Sequence, residues 1–114
     1  MTDKERRREL REQARQNPPP AGIYAIRHRA TGRVVVASAV NLAGARNRFD
    51  FAVSTGLTSA LDTQLGGDVR AHGTEGLAFE VLETVPVEPG TVAADLRADL
   101  ATLEALWREQ LGAG

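Results

Sequence analysis

Few side chains in this sequence have the spacing of a common catalytic, metal-binding or phosphate-binding motif. The two histidines, His28 and His72, lie far apart and have no ligand-spaced partners, which argues against a zinc site. The chain has no cysteine, so disulfides, thiolate metal sites and cysteine nucleophiles are excluded. The Gly66-Gly67 pair lacks the Lys-Ser or Lys-Thr that completes a phosphate loop. Ser38 has no evident base to activate it. None of these common motifs therefore assigns a reaction to the chain.

Three segments alternate in the manner of β-strands. The strings GIYAIRHR (22–29), RVVVASA (33–39) and LAFEVLE (77–83) place apolar residues on alternate positions or are rich in β-branched residues. The turn Ala30-Thr31-Gly32 joins the first two strands, which predicts an antiparallel hairpin.

Helix signals lie between and around these strands. Asn41 is a predicted N-cap of a helix that ends near Gly56, and a second, longer helix begins at about Thr91. The segment 59–72 is only weakly helical. The whole order predicts an α+β fold in which helices flank a three-stranded antiparallel sheet.

An additional charged helix is predicted at the N-terminus. Thr2 and Glu5 have the spacing of a capping box, and the Asn17-Pro18-Pro19-Pro20 run ends the helix because proline blocks helical geometry. We therefore divide the chain into residues 1–20, a charged helix with a proline-rich linker, and residues 21–114, the main domain.

The charge of the chain is divided between its two halves. Residues 1–48 carry eleven basic and four acidic side chains, a net charge of +7, whereas residues 49–114 carry three basic and eleven acidic ones, a net charge of −8. This asymmetry favours a polyanionic partner for the first half, or attraction between the halves. At 114 residues, without a long apolar run or a secretory signal, the chain is expected to be a single-domain cytoplasmic protein.

The ordered motifs resemble the GIY-YIG nuclease family over residues 22–111. Gly22-Ile23-Tyr24 matches the first half of the family motif, and Ser38 and Asn41-Leu42 match the stretch before the first helix. FEVLE (79–83) resembles the third strand, and LEALW (103–107) resembles the late helix with its glutamate. The charged N-terminal helix and proline break resemble a small bacterial branch of this family.

The resemblance implies a metal-dependent phosphodiesterase. Tyr24 would orient or activate the attacking water, and Glu104 would hold one divalent ion, usually Mg²⁺, that neutralises phosphate charge. Read without the resemblance, Glu104 forms an exposed i,i+4 pair with Arg108, and Tyr24 is a core or rim aromatic of its strand.

Several positions depart from the family pattern. The tyrosine and glycine of the second motif fall on Val35 and Ala37, and the helix arginine and histidine fall on Ala45 and Phe49. Arg46 and Arg48 are close enough to replace the arginine, although Arg46 points about 100° around the helix from Ala45. The resemblance therefore implies a degenerate active site.

Three hypotheses follow. In the first, an eroded nuclease domain binds nucleic acid, DNA by preference, through its basic hairpin and its N-terminal helix. The expected phosphate contacts are Arg27, Arg29, Arg33, Arg46 and Arg48. In the second, Tyr24, Glu104 and a relocated arginine form a working Mg²⁺-dependent endonuclease, which requires Tyr24 and Glu104 to face a common cleft. In the third, the basic half of one copy meets the acidic half of another in a non-catalytic interaction module, so that a homo-oligomer forms.

Overall fold

The chain folds into a three-stranded antiparallel sheet with helices on both faces, as the sequence predicted. The computed structural model describes residues 2–16, 19–56 and 73–112; the weakly helical segment 59–72 lies outside them. The elements in chain order are α1 (Asp3–Gln16), β1 (Ala21–His28), β2 (Val34–Ala39), α2 (Leu42–Thr55), β3 (Leu77–Val85) and α3 (Ala93–Leu111). Strand β1 is central, and β2 and β3 pair with it on either side.

The hairpin turn sets the hydrogen-bonding pattern of β2. The N–H of His28 donates to the carbonyl of Arg33 at 2.9 Å, which makes these two residues a hydrogen-bonded pair. Such pairs alternate along an antiparallel ladder, so Val36, opposite Ala25, belongs to a non-hydrogen-bonded pair. The backbone groups of Val36 therefore point away from β1, to the outer edge of the sheet.

Strand β1 approaches β3 closely at its first residues. The register shifts by one residue between Ile23 and Tyr24, which marks a bulge in β3. A Cβ atom on Gly22 would collide with the backbone carbonyl of Glu83 and lie 2.8 Å from Leu42 Cδ1. Close packing against β3 and α2 therefore requires a glycine at the start of the Gly22-Ile23-Tyr24 string.

The alternation of β1 separates two cores. One face packs Ile23 and Val36 against Leu100 of α3. The opposite face packs Ile26 and Val35 against α2. Since successive side chains of a strand point to opposite faces, α2 and α3 lie on opposite sides of the sheet.

Capping interactions define the helix ends. The Asn41 side chain accepts from the N–H of Gly44 at 3.1 Å, and Gly56 ends α2 in a left-handed conformation, both as predicted. The capping box of α1 also forms: Thr2 Oγ1 accepts from the N–H of Glu5 at 3.3 Å, and Glu5 Oε2 accepts from the N–H of Thr2 at 3.4 Å. Among the described helices, none combines the length and apolarity needed to cross a membrane.

Candidate functional site

Tyr24 belongs to an aromatic cluster on the α2 face of the sheet, with Phe79 at its centre. Its ring stacks on Phe79 of β3 with 4.8 Å between centroids and 18° between planes. Phe49 of α2 completes the cluster, 5.6 Å from Phe79 in a tilted arrangement. Tyr24 is half-buried, so the cluster reaches the protein surface.

Arg46 covers this cluster from the solvent side. Its guanidinium carbon lies 5.5 Å from the centroid of the Phe79 ring, within the range of a cation–π contact. Its Nε also lies 3.4 Å from the carboxylate of Asp50, one turn further along α2. Tyr24 and Arg46 therefore share one face of the sheet, linked through Phe79.

Glu104 belongs to α3 and so approaches the sheet from the other face. Its Oε2 lies 3.3 Å from Nη1 of Arg108, and Nη2 of the same guanidinium donates to the carbonyl of Val36 at 3.1 Å. Because that carbonyl points outward from the sheet, Glu104 and Arg108 lie beside the open edge of β2. The ring of Tyr24 instead turns to Phe79, on the β3 side. The structure thus brings Tyr24 together with Arg46, and Glu104 with Arg108, as two separate groups.

The arginines predicted to contact phosphate differ in whether each forms an ion pair with an acidic side chain. Arg27 pairs with Glu80 across the sheet at 2.7 Å, and Arg46 pairs with Asp50. Arg29 and Arg48 are exposed, and neither has a carboxylate within ion-pair distance in the described part of the chain. Arg33 is also exposed, at the end of the hairpin turn.

A groove on the α3 side has the opposite charge. It encloses about 440 Å³ between the end of β3 and α3, and its described lining includes the carboxylates of Glu83 and Asp99 but no basic side chain. An anionic ligand is disfavoured there by Coulomb repulsion.

Comparison with solved structures identifies the fold. The chain superposes on the "catalytic domain of intron endonuclease I-TevI, E75A mutant" with a TM-score of 0.57 and 24% sequence identity, over 82% of this chain and 84% of that one. The chain has the GIY-YIG fold. Neither a protein-family model nor a curated protein sequence matches it.

At the four positions where the resemblance implies the second motif and the helix arginine and histidine, this chain has apolar residues, three of them buried. Ala45 and Phe49 are 4% and 7% exposed, and both pack among the residues around Phe79. Val35 is 2% exposed in the same core, and Ala37 lies opposite Tyr24 on β2. None of these four side chains can donate a hydrogen bond to a phosphate or transfer a proton.

Glu104 offers a single carboxylate to the magnesium ion that the resemblance implies, which is chemically sufficient because Mg²⁺ keeps several waters and takes few protein ligands. Among the residues that the structure describes, no group of three or more histidine or acidic side chains could hold a metal. The carboxylate of Glu104 already has the cation of Arg108 as its neighbour. A dication placed beside Glu104 would meet the repulsion of that guanidinium.

Three residues of this region were missed by the sequence analysis as partners. The sequence predicts Phe79 and Glu83 only as members of a strand, and Arg108 only as a surface partner of Glu104. Glu83 Oε1 accepts a hydrogen bond from the indole N–H of Trp107 at 2.9 Å, which anchors α3 to β3. A lone tryptophan on an apolar stripe signals that such a partner is needed, since a buried indole N–H seeks an acceptor.

Proposed function

We propose that this GIY-YIG-fold protein binds nucleic acid, DNA by preference, through its phosphates, and hydrolyses phosphodiester bonds weakly or not at all. The observation that carries this proposal is the burial of Ala45 and Phe49 in the aromatic core. Losing one electrostatic or proton-transfer group from an active site often lowers the rate by about 10² or more. Apolar residues at several such positions leave little catalysis.

Exposed cations support the binding part of the proposal. Arg29 and Arg48 are free of acidic partners in the described part of the chain, so a phosphate meets them at little electrostatic cost. Phosphate contacts of this kind give affinity and salt dependence but read no sequence. The structural neighbour with this fold is named as an endonuclease, which favours nucleic acid as the polyanion.

A second candidate is a working Mg²⁺-dependent endonuclease. The position of Arg46 over Phe79, next to Tyr24, favours it because a guanidinium is available beside the tyrosine. The separation of Glu104 from this pair weighs against it.

An interaction module driven by charge between copies has less support. The contacts of Arg27 with Glu80 and of Arg46 with Asp50 already join the basic and acidic halves within one chain. Charges neutralised within the chain contribute less to attraction between copies.

Two assays on the purified chain test the proposal. In the first, supercoiled plasmid and branched DNA are incubated with the protein in Mg²⁺ or in EDTA, beside Glu104→Gln. In the second, fluorescence anisotropy measures binding of a labelled DNA duplex over a range of NaCl concentrations. Arg48→Gln is compared with Arg97→Gln, which removes the same charge from an exposed helix position in the acidic half.

The proposal expects salt-sensitive binding that Arg48→Gln weakens more than Arg97→Gln, and no efficient nicking. Mg²⁺-dependent nicking that Glu104→Gln abolishes would overturn it in favour of the second candidate. A chain that neither cleaves nor binds DNA at low salt would refute both.

A further inference from the structure

Helix α1 has only two apolar residues, Leu10 and Ala14, which lie one turn apart. Its described side chains, from Thr2 to Glu9, are all exposed, and its sequence consists almost entirely of charged residues and glutamine. The capping box and the high helix propensity of arginine, glutamate and lysine stabilise it locally. A helix with so narrow an apolar stripe exposes most of its surface to a polar partner or to solvent.

Three described cations of α1 cluster on one side of its axis. With 3.6 residues per turn, Lys4, Arg7 and Arg8 fall within an arc of about 100°. The sequence continues this spacing at Arg11 and Arg15. We call these five positions the basic stripe.

Two of the described acids of α1 lie away from the basic stripe, whereas Asp3 lies beside it, about 40° from Arg7. Glu5 and Glu9 lie one turn apart, about 130° from the centre of the basic stripe. Arg6 lies alone, about 150° from that centre on the other side. A polyanion that meets the basic stripe is therefore turned away from Glu5 and Glu9.

We infer that α1 is a docking element for the phosphate backbone of duplex DNA, which it contacts through the basic stripe. This inference rests on the proposed nucleic-acid binding and adds to it a second contact region, separate from the sheet and α2. The argument is one of charge complementarity together with exposure of the helix.

The length of the stripe agrees with the spacing of phosphates. From Lys4 to Arg15 the helix rises about 16 Å at 1.5 Å per residue. One strand of duplex DNA carries a phosphate about every 3.4 Å along its axis, so about five phosphates lie within the same length. The length of helix that carries these positions therefore spans about five phosphates of one strand.

The test compares two double variants of the full chain that remove the same total charge. Arg7→Gln/Arg8→Gln removes two cations from the basic stripe, whereas Arg6→Gln/Arg97→Gln removes two exposed cations that lie off it. Glutamine retains helix propensity close to that of arginine. The probe is a labelled DNA duplex of about two helical turns, and the readout is the slope of log K against log[NaCl].

Each phosphate contact contributes about 0.9 to the magnitude of that slope. The Arg7→Gln/Arg8→Gln variant is expected to lose about 1.8 from the slope, and the control about zero, with equal helix content by circular dichroism. Equal loss in both variants, or no loss in either while the wild type binds, would refute docking through α1 and leave the proposed function standing. If the wild type does not bind the duplex at all, the proposed function itself fails.

Discussion

The guanidinium of Arg108 donates to the backbone carbonyl of Val36, 3.1 Å away, and thereby ties α3 to the open edge of β2. The same side chain faces the carboxylate of Glu104. One arginine therefore joins a helix, an edge strand and the acid that the family resemblance assigns to a metal.

Replacement of Arg108 by Met is expected to destabilise the fold by about 1–2 kcal/mol, because the bond to Val36 and the counter-charge of Glu104 are both lost. Glu104→Gln leaves the bond to Val36 in place and keeps a polar group beside Arg108, so it should cost less, below about 1 kcal/mol, although the pair is half-buried rather than exposed. Urea unfolding of both variants measures the difference. Equal losses would show that the contact with Val36 contributes nothing.

Introducing a histidine at position 49 is expected to lower the stability of the fold without producing cleavage activity. Phe49 is 7% exposed in an aromatic core, so Phe49→His leaves a polar ring with fewer apolar contacts and should cost about 2–4 kcal/mol. Phe51→His, at a position that is 53% exposed, is the matched control and should stay within about 0.5 kcal/mol. A stable Phe49→His variant that gains Mg²⁺-dependent nicking would contradict our interpretation of this core.

The glycine that begins the motif is expected to tolerate no side chain. Gly22→Ala would push a methyl group into the carbonyl of Glu83, and a backbone shift of this kind costs about 1–3 kcal/mol. Gly44→Ala provides the comparison: it lies inside α2 with only ordinary contacts, so it should be neutral or stabilising by up to about 1 kcal/mol. Thermal melts of the two variants compare their melting temperatures. A Gly22→Ala variant that melts at the same temperature as the wild type would contradict the prediction.

Asp50→Asn is expected to strengthen DNA binding by about 2–5-fold, because it removes the acid that pairs with Arg46 and leaves the guanidinium to a phosphate. Asp95→Asn makes the same change of charge at the exposed start of α3 and serves as the control. Anisotropy titrations at one low salt concentration give both affinities. Equal gains from the two variants would mean that net charge alone, and not Arg46, sets the affinity.

The sequence predicted the fold well because its signals are local. The alternation in β1, the turn at Gly32 and the cap at Asn41 each depend on a few neighbouring residues, and the structure has all three. Periodicity also predicted which residues of α3 face inward, with Leu100 and Trp107 on the packed side.

The site was less predictable because it depends on which face of the sheet each helix covers. The i,i+4 spacing of Glu104 and Arg108 predicts their pair, but not that α3 packs opposite Tyr24 or that Arg108 reaches Val36. Likewise, helical geometry places Arg46 about 100° from Ala45, whereas only the position of Phe79 on β3 shows where its guanidinium comes to rest.

The contact between Arg108 and Val36 also bears on aggregation. An uncovered edge strand offers its outward N–H and C=O groups to any other extended chain, and native proteins often block such edges with an inward-pointing charge. Here the guanidinium occupies the outward carbonyl of Val36 near the middle of β2, where an incoming strand would need to form its ladder. Arg108 thus covers one of the groups that a second polypeptide would need to extend the sheet at this edge.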